Sequence, residues 1–478
     1  MREANFSRAV SAVLVMLTAS VVRGQCVTTE RAITQPASFP SRVAGPIAST
    51  GSILGLAKSD ITTGIPAIFF ATFDGSLNPL TDDRQIADTS ANGATNLIWN
   101  GSEFGLFYQT PTFALMLQSI ATSGNPIGAA IPIVNHAWSP DDEFDVAWSP
   151  VRNAYAIART VTQGAERGLW LTVVSRNGVV IADTNITFFV SPPTLPRVAA
   201  LPDGSFAISW VRSGTEGRVF AISIVSQSGL LLKSTVFSSR EVTAARIATD
   251  GNSILVIFSS PVTGGTELRV AQFDLAGNTI KSDSAFLTGS GVDILPLQLQ
   301  WNPTLSEWTL TYNDAQLGLL VFPGTIRLRR FTSLTAMPSD TLLSPNPSHS
   351  RLVDPYPIVF MNGGYIASIQ RVISRQEGSE SYLVKSCPFF VTASTNTPIV
   401  PPFVPVTFTG IGSGGTPGYQ FEWQFGDNAI TKGQVVQHVY QLPGTYTVTL
   451  TGTDAAGASS ITRLTVVVRV GKARAVRH

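Results

Sequence analysis

Charge, cysteine and histidine are all scarce in this chain. Only 13% of its 478 residues are charged, against 44% hydrophobic, and the formal net charge is +1. Binding to a phosphate backbone needs a concentrated basic face, and basic residues gather only near the end of the sequence, as Arg469, Lys472, Arg474 and Arg477. Nucleic acid is therefore not an expected partner, and residues 471–478 read as a solvated basic tail. The four histidines, His136, His349, His438 and His478, show no His-x-x-x-His or Glu-x-x-His spacing, so no zinc site is expected. There is no Gly-x-Ser-x-Gly elbow and no phosphate-binding glycine loop, and no catalytic residue is assigned. Long apolar runs are missing too. The longest, Ala9 to Val22, falls short of the roughly 20 residues that span a bilayer. It follows Arg2 and Arg8 and precedes Arg23-Gly24, so residues 1–24 read as a secretory signal peptide. The mature chain is expected to be secreted, extracellular or periplasmic, with no transmembrane segment.

Helical periodicity is also absent from Ser41 to about Pro388. In its place β-prone runs alternate with tight turns. A first set of turns comprises Asn100-Gly101-Ser102, Pro202-Asp203-Gly204, Asp250-Gly251-Asn252, Asn302-Pro303-Thr304 and Asn362-Gly363-Gly364. A second set contains Gly75, Gly124, Gly178, Gly229 and Gly277, about 50 residues apart. Asn-Gly and Asp-Gly supply the positive φ that short hairpins need. A four-stranded unit of this length recurring about seven times is the pattern of a β-propeller, whose blades bury their faces against one another. Residues 25–390 are expected to form it, with boundaries near 41–90, 92–138, 143–193, 196–240, 243–292, 296–346 and 355–388. The last unit lacks a fourth strand, and Val27 to Thr34 are expected to supply it.

Only two cysteines exist, Cys26 and Cys387, and they stand at the two ends of this region. An even count in a chain that enters an oxidising compartment favours a disulfide. A ring needs its ends joined, so a bridge between these two and closure by an N-terminal strand support each other.

Residues 391–402, rich in proline and small polar side chains, read as an extended linker. A second β domain is expected over residues 403–470. Its first strand alternates Phe421, Trp423 and Phe425 with Glu422 and Gln424. The run Trp423-Gln424-Phe425-Gly426-Asp427, then His438, Tyr440, Pro443, Gly444 and Tyr446, then Asp454 and Gly457, resembles the PKD domain, an immunoglobulin-like β-sandwich. The resemblance implies that Trp423 fills a core and that Pro443-Gly444 turns the chain into the next strand. Asn428 stands where that family usually has Gly, and Asn tolerates the positive φ required. The whole chain is thus expected to be all-β, a seven-bladed β-propeller followed by a PKD-like sandwich.

Candidate functional residues are few. Asp141, Asp142, Glu143 and Asp145 form the densest acidic cluster. They lack the spaced pattern of a Ca2+ loop, so a solvated turn is the expectation and no cofactor is assigned. A propeller glycosidase would need carboxylates from different blades converging on the axis, and Asp145 and Glu241 are the blade-entry candidates. Trp99, Trp148, Trp170, Trp210, Trp301 and Trp308 lie on alternating strands and are expected to pack between blades. Trp138, beside the acidic turn, is the first candidate for ligand contact. The function expected is a secreted, non-enzymatic binding or adhesion protein for a protein or polysaccharide ligand, with the PKD-like domain as spacer or accessory module. The alternative is a secreted propeller glycoside hydrolase or lyase.

Overall fold

The computed structural model of the chain describes residues 29–32, 42–60, 67–88, 94–112, 114–134, 143–163, 166–189, 193–214, 217–288, 292–316, 324–334, 341–342, 350–351, 358–374, 378–387, 389–415, 418–455 and 459–469. Why these residues form blades is clearest in the fifth unit. In Ile254-Leu255-Val256-Ile257-Phe258 every side chain is buried, because a middle strand has a neighbouring blade on both faces. Ile254, Val256 and Phe258 pack toward the fourth blade, with Phe220 and Ile222, while Leu255 and Ile257 pack toward the sixth, with Trp308 and Leu310. The period of two thus feeds two cores at once. The outer strand of a blade has no such need, and only Ser238 of Leu231–Ser238 is buried.

Each of the first five blades is a separate four-stranded antiparallel sheet. Their innermost strands are Arg42–Ser49, Ala94–Trp99, Phe144–Ser149, Pro193–Ala200 and Ala244–Thr249. The sixth blade begins with Val292–Asn302 and the seventh with Val359–Met361. Blades six and seven are joined into one sheet by the short strand Ser350–Arg351, which pairs with both. The seventh takes its outer strand from the other end of the sequence: Thr29–Ala32 runs antiparallel to Gly378–Ser386, with Thr29 opposite Lys385 and Ala32 opposite Tyr382.

A hydrophobic cluster fills every blade boundary. Phe70 meets Phe104 between blades one and two, Phe107 meets Tyr155 between two and three, and Leu171 joins Ile208 between three and four. Phe220 and Phe258 join four to five, Val270 and Leu310 five to six, and Leu328 and Tyr365 six to seven. Met361 and Leu383 then pack on Leu54 and Leu56, which returns the last blade to the first and closes the ring.

The turns follow from sequence. Gly204 has φ +83°, and Asp203 Oδ1 accepts from the Ser205 amide and hydroxyl at 2.9 and 2.6 Å. Gly229 has φ +86°, and a Cβ there would sit 2.4 Å from Thr184 Oγ1 of the preceding blade, so this turn needs glycine for packing as well. Neighbouring innermost strands pack on one another around the axis, and their free edges face the channel. That is why Pro46, Pro196 and Pro296 are tolerated within them. The pairing register slips between Ala44 and Ile47, Thr194 and Arg197, and Pro296 and Gln298, so each proline sits in or beside a bulge.

Residues 391–402 are not a linker. Phe390–Thr395 pairs with Pro405–Ser413, and Ile399–Val400 runs parallel to the end of Ser459–Val468. Composition misleads here because the small polar residues separate apolar ones, Val391 and Val400, that are buried in the second domain with Phe389. Asn396 Oδ1 accepts from the Thr407 amide at 2.9 Å, binding the segment to the sandwich edge. A sheet containing Phe390–Thr395, Pro405–Ser413 and Val435–Val439 packs on one containing Gln420–Gln424, Gly444–Thr453 and Ser459–Val468. Trp423 is fully buried between them and donates its indole N–H to Gly433 O at 3.0 Å.

Candidate ligand-binding site at the channel mouth

Trp138, Asp141 and Asp142 lie outside the described residues, as do Cys26 and Gly457. Cys387 is buried and is not a free cysteine. Among the described residues no group of three or more His, Cys, Asp or Glu side chains could hold a metal ion, and no helix is long and apolar enough to cross a membrane.

Two of the remaining acidic candidates, Glu143 and Asp145, serve the backbone. Glu143 Oε2 accepts from the Leu195 amide at 2.7 Å, and Asp145 Oδ2 accepts from the Val198 amide at 2.9 Å. Both acceptors thus come from the third blade and both donors from the bulged inner edge of the fourth. Leu195 has φ +54°, an unfavourable conformation for a bulky residue, and the Glu143 carboxylate helps to hold it. Burial pushes the Asp145 carboxyl above its ordinary pKa, opposed by the charges of Arg197 and Arg246. The same device recurs farther round the ring, where Arg246 donates to Leu297 O and Thr266 Oγ1 accepts from the Ile294 amide at 2.6 Å. Glu241 is exposed at the entry to the fifth blade.

At the opposite ends of the innermost strands a different set of residues gathers. Trp99, Trp148, Trp301 and Phe360 occupy equivalent positions in blades two, three, six and seven. Each is paired in register with an aromatic residue of the second strand: Phe104, Tyr155, Trp308 and Tyr365 respectively. Ring centroids in these pairs are 5.0, 4.7, 5.3 and 5.0 Å apart. Ser49, Ala200 and Thr249 take the position in the other three blades. All four aromatic residues are half-buried. Trp210 and Trp308 pack between blades as the sequence suggested, and so in part do Trp99, Trp148 and Trp301, each packed against an interblade core while staying half-buried at the end of its inner strand. Buried indoles usually donate a hydrogen bond, and Trp210 donates to Ser223 Oγ at 2.9 Å. The indole N–H groups of Trp99, Trp148 and Trp301 find no acceptor among the described residues.

Polar networks fix the backing aromatics. Asn100 Nδ2 donates to the Tyr155 hydroxyl at 2.8 Å, and Asn302 Nδ2 donates to the Tyr365 hydroxyl at 2.8 Å. Tyr365 in turn donates to Glu307 Oε1 at 2.8 Å, and Glu307 pairs with Arg330 at 2.7 Å. In the other copy Glu103 pairs with Arg176 at 3.1 Å. Burial opposes ionisation of Glu103, but hydrogen bonds from Arg176, Ser119 and Asn100 hold it below the ordinary carboxylate range. Burial raises the pKa of both tyrosines well above that of a free phenol.

Between blades six, seven and one the mouth opens into a cleft of about 250 Å³, lined by Trp301, Phe360, Gln300, Thr304 and Ser49 among others. The sequence carried a signal for these positions that residue type alone did not give. Trp99, Trp148 and Trp301 directly precede the first turn of their unit, as in Trp99-Asn100-Gly101, Trp148-Ser149-Pro150 and Trp301-Asn302-Pro303, and Phe360 stands one residue before its turn, Asn362-Gly363-Gly364.

In the second domain His438 Nε2 and Asp427 Oδ2 are 2.7 Å apart, and the imidazole stacks on Phe425 at 4.1 Å. Gly426 has φ +84°, and a Cβ there would lie 2.8 Å from Thr447 O. Asn428 adopts φ +70°. Tyr440 donates to Phe425 O at 3.1 Å and Tyr446 to Leu442 O at 2.9 Å, the latter across the Pro443-Gly444 turn. Asp454 is buried, close to Gly415.

Residues 392–470 match the family model of the PKD domain, and this part of the chain is a PKD domain. Among solved structures, the PKD1 domain of Vibrio anguillarum Epp is 24% identical, covering 18% of this chain and 96% of its own, with a TM-score of 0.16. A puromycin hydrolase is 11% identical over 74% of this chain and 55% of its own, with a TM-score of 0.49. The polysaccharide lyase Uly1 is 7% identical over 71% of this chain and 89% of its own, with a TM-score of 0.45. At such scores these likenesses carry no weight on function. No curated protein matches the chain.

Proposed function

We propose that the protein is an extracellular binding protein that recognises a polysaccharide or protein ligand at the aromatic mouth of its propeller, with the PKD domain as spacer or accessory module. The observation that carries this reading is the set of four half-buried aromatic residues, Trp99, Trp148, Trp301 and Phe360, repeated at one position of the inner strands of blades two, three, six and seven. Aromatic platforms held rigidly around a mouth lose little conformational freedom on binding. Secretion rests on the N-terminal pattern of Arg2, Arg8 and the apolar run that follows. A hydrolase or lyase would draw on carboxylates near the axis, but the Glu143 and Asp145 carboxylates are engaged with backbone amides.

The test is a glycan and protein array probed with the chain from Gln25 onward, beside a Trp148→Ala/Trp301→Ala double variant that keeps the parent's far-ultraviolet circular dichroism and a cooperative thermal transition. Binding by the parent that the double variant loses supports the reading. Equal binding by both moves the site elsewhere, and release of reducing ends or unsaturated sugars from a bound glycan replaces binding with catalysis.

A further inference from the structure

We infer that the free tip of the PKD domain docks on an anionic lipid surface, with Phe403 and Leu442 entering the interface and the basic residues from Arg469 onward meeting the headgroups. The inference is independent of the channel mouth. The two ends of the sandwich differ. At one end it is fastened to the propeller: the Cys387 carbonyl accepts from the Gly415 amide at 2.8 Å, and Arg330 of the sixth blade donates to the Phe389 carbonyl at 2.9 Å. Ser413 and Thr453 belong to this end, since Phe390 lies opposite Ser413 and Val391 packs against Gly452. The strands Pro405–Ser413 and Gly444–Thr453 therefore carry Pro405 and Gly444 to the opposite end of the sandwich.

Apolar side chains crowd that tip. Phe403, 72% exposed, and Leu442, 70% exposed, are the two most exposed large hydrophobic side chains among the described residues, and Val404, Val439 and Ile399 near them are exposed as well. Contiguous apolar surface rimmed by polar groups marks interaction sites. The two loops are also held firmly. The Phe403 amide donates to Tyr440 O at 2.9 Å, Tyr446 donates to Leu442 O at 2.9 Å, and the rings of Tyr440 and Tyr446 stack at 4.3 Å. Phe403 has φ +68°, which costs a bulky residue free energy and which glycine adopts freely. A strained aromatic side chain facing solvent adds nothing to the core, so the strain points to an external contact.

Charge chooses the partner. The Arg469 amide donates to Val400 O at 3.0 Å, which pins the end of the last strand to the same tip, and Lys472, Arg474 and Arg477 follow in sequence. At about 3.6 Å per residue, chain length alone keeps Lys472 and Arg474 within roughly 11 and 18 Å of Arg469. An apolar wedge with cations beside it matches an anionic bilayer, which takes apolar side chains below its headgroups and attracts each nearby Lys or Arg. A soluble polyanion would use the cations but leave Phe403 and Leu442 in water.

The experiment is co-sedimentation of the chain from Gln25 onward, which leaves out the apolar run Ala9 to Val22, with vesicles of phosphatidylglycerol and phosphatidylcholine or of phosphatidylcholine alone. We expect binding to the mixed vesicles that falls about tenfold or more without phosphatidylglycerol and weakens as salt is added. The Phe403→Gly/Leu442→Ser double variant should lose about tenfold or more. Lys472→Gln/Arg474→Gln/Arg477→Gln should lose roughly fivefold for each charge removed. Phe403→Gly alone is expected to keep the parent's thermal midpoint, because relief of the strain offsets the added freedom of the unfolded chain. If it lowers the midpoint instead, Leu442→Ser alone carries the comparison. Leu232→Ser, exposed on the outer strand of the fourth blade, should bind as the parent does. No binding to the mixed vesicles, equal binding to both vesicle types, or unchanged binding in the tip variants each overturns the inference. A loss in Leu232→Ser as large as at the tip overturns it too, as general apolar adhesion. A concentration-dependent dimer that Phe403→Gly abolishes would give the tip to a second copy of the chain.

Discussion

Lys385 Nζ donates to the backbone oxygen of Gly75 at 2.6 Å, so a side chain of the last blade grips a turn of the first. Burial depresses the Lys385 pKa, opposed by the charge of Asp74, yet the ammonium group is kept because it satisfies a carbonyl at the ring's seam. Lys385→Ala leaves that carbonyl unpaired and opens space beside it. The expected loss is roughly 1–3 kcal/mol, read as a lower urea midpoint with fluorescence detection. An unchanged midpoint would mean the seam does not depend on this contact.

The Tyr365 and Tyr155 hydroxyls each bridge two blades, and replacing either by Phe strands a buried Asn side chain. Each substitution is expected to cost roughly 1–3 kcal/mol in urea denaturation. Burial raises both phenol pKa values in the folded state, whereas an unfolded tyrosine titrates near about 10. Their contribution is therefore complete below about pH 10 and is lost as pH rises toward the folded values. Stability measured from pH 8 to 11 should fall more steeply in the parent than in the double Tyr155→Phe/Tyr365→Phe variant. Parallel curves would contradict the assignment.

A covalent seam is expected beside the hydrogen-bonded one. Cys26 precedes Thr29 closely in sequence, and Cys387 closely follows Lys385, the residue with which Thr29 is paired. Peptide mapping without reduction should recover Cys26 linked to Cys387. Cys387→Ala should then lower stability by about 2–5 kcal/mol. Recovery of both cysteines as free thiols from secreted material would remove the bridge from the account.

Trp423 organises the second core, and Trp423→Ala should destabilise it by about 3–5 kcal/mol. Because Val391 and Val400 belong to that core, thermolysin should spare residues 393–402 in the parent and cut there in the variant. Rapid cutting of the parent at Ile399 or Val400 would restore these residues to the role of a free spacer.

Much of this architecture was legible because turns leave strong local marks. Gly101, Gly178, Gly204, Gly229, Gly251, Gly277 and Gly363 all have positive φ, and their spacing alone revealed the repeat. The residues around Trp423 likewise marked the sandwich. Composition failed at 391–402, where alternate burial of Val391 and Val400 decides the structure and the Thr, Ser and Pro residues do not. The channel mouth was harder to read for a geometric reason. An alternating strand shows which residues share a face, but not where along the strand that face leaves the interblade core and reaches the axis. Trp301 and Trp308 are both tryptophans on neighbouring paired strands and both pack on the same interblade core, yet only the first is left half-buried beside a cleft.

Closure by Thr29–Ala32 also has a consequence in time. The partner segment, Gly378–Ser386, is made only after nearly all of the propeller. At a synthesis rate of roughly 5–20 residues per second, the first strand waits on the order of tens of seconds before its partner exists. Six blades can assemble locally as they emerge, but the seventh is a late, long-range event. A nascent chain stalled before residue 378 therefore carries an orphaned edge at each end, and those edges are where a folding helper or a wrong neighbour would first take hold.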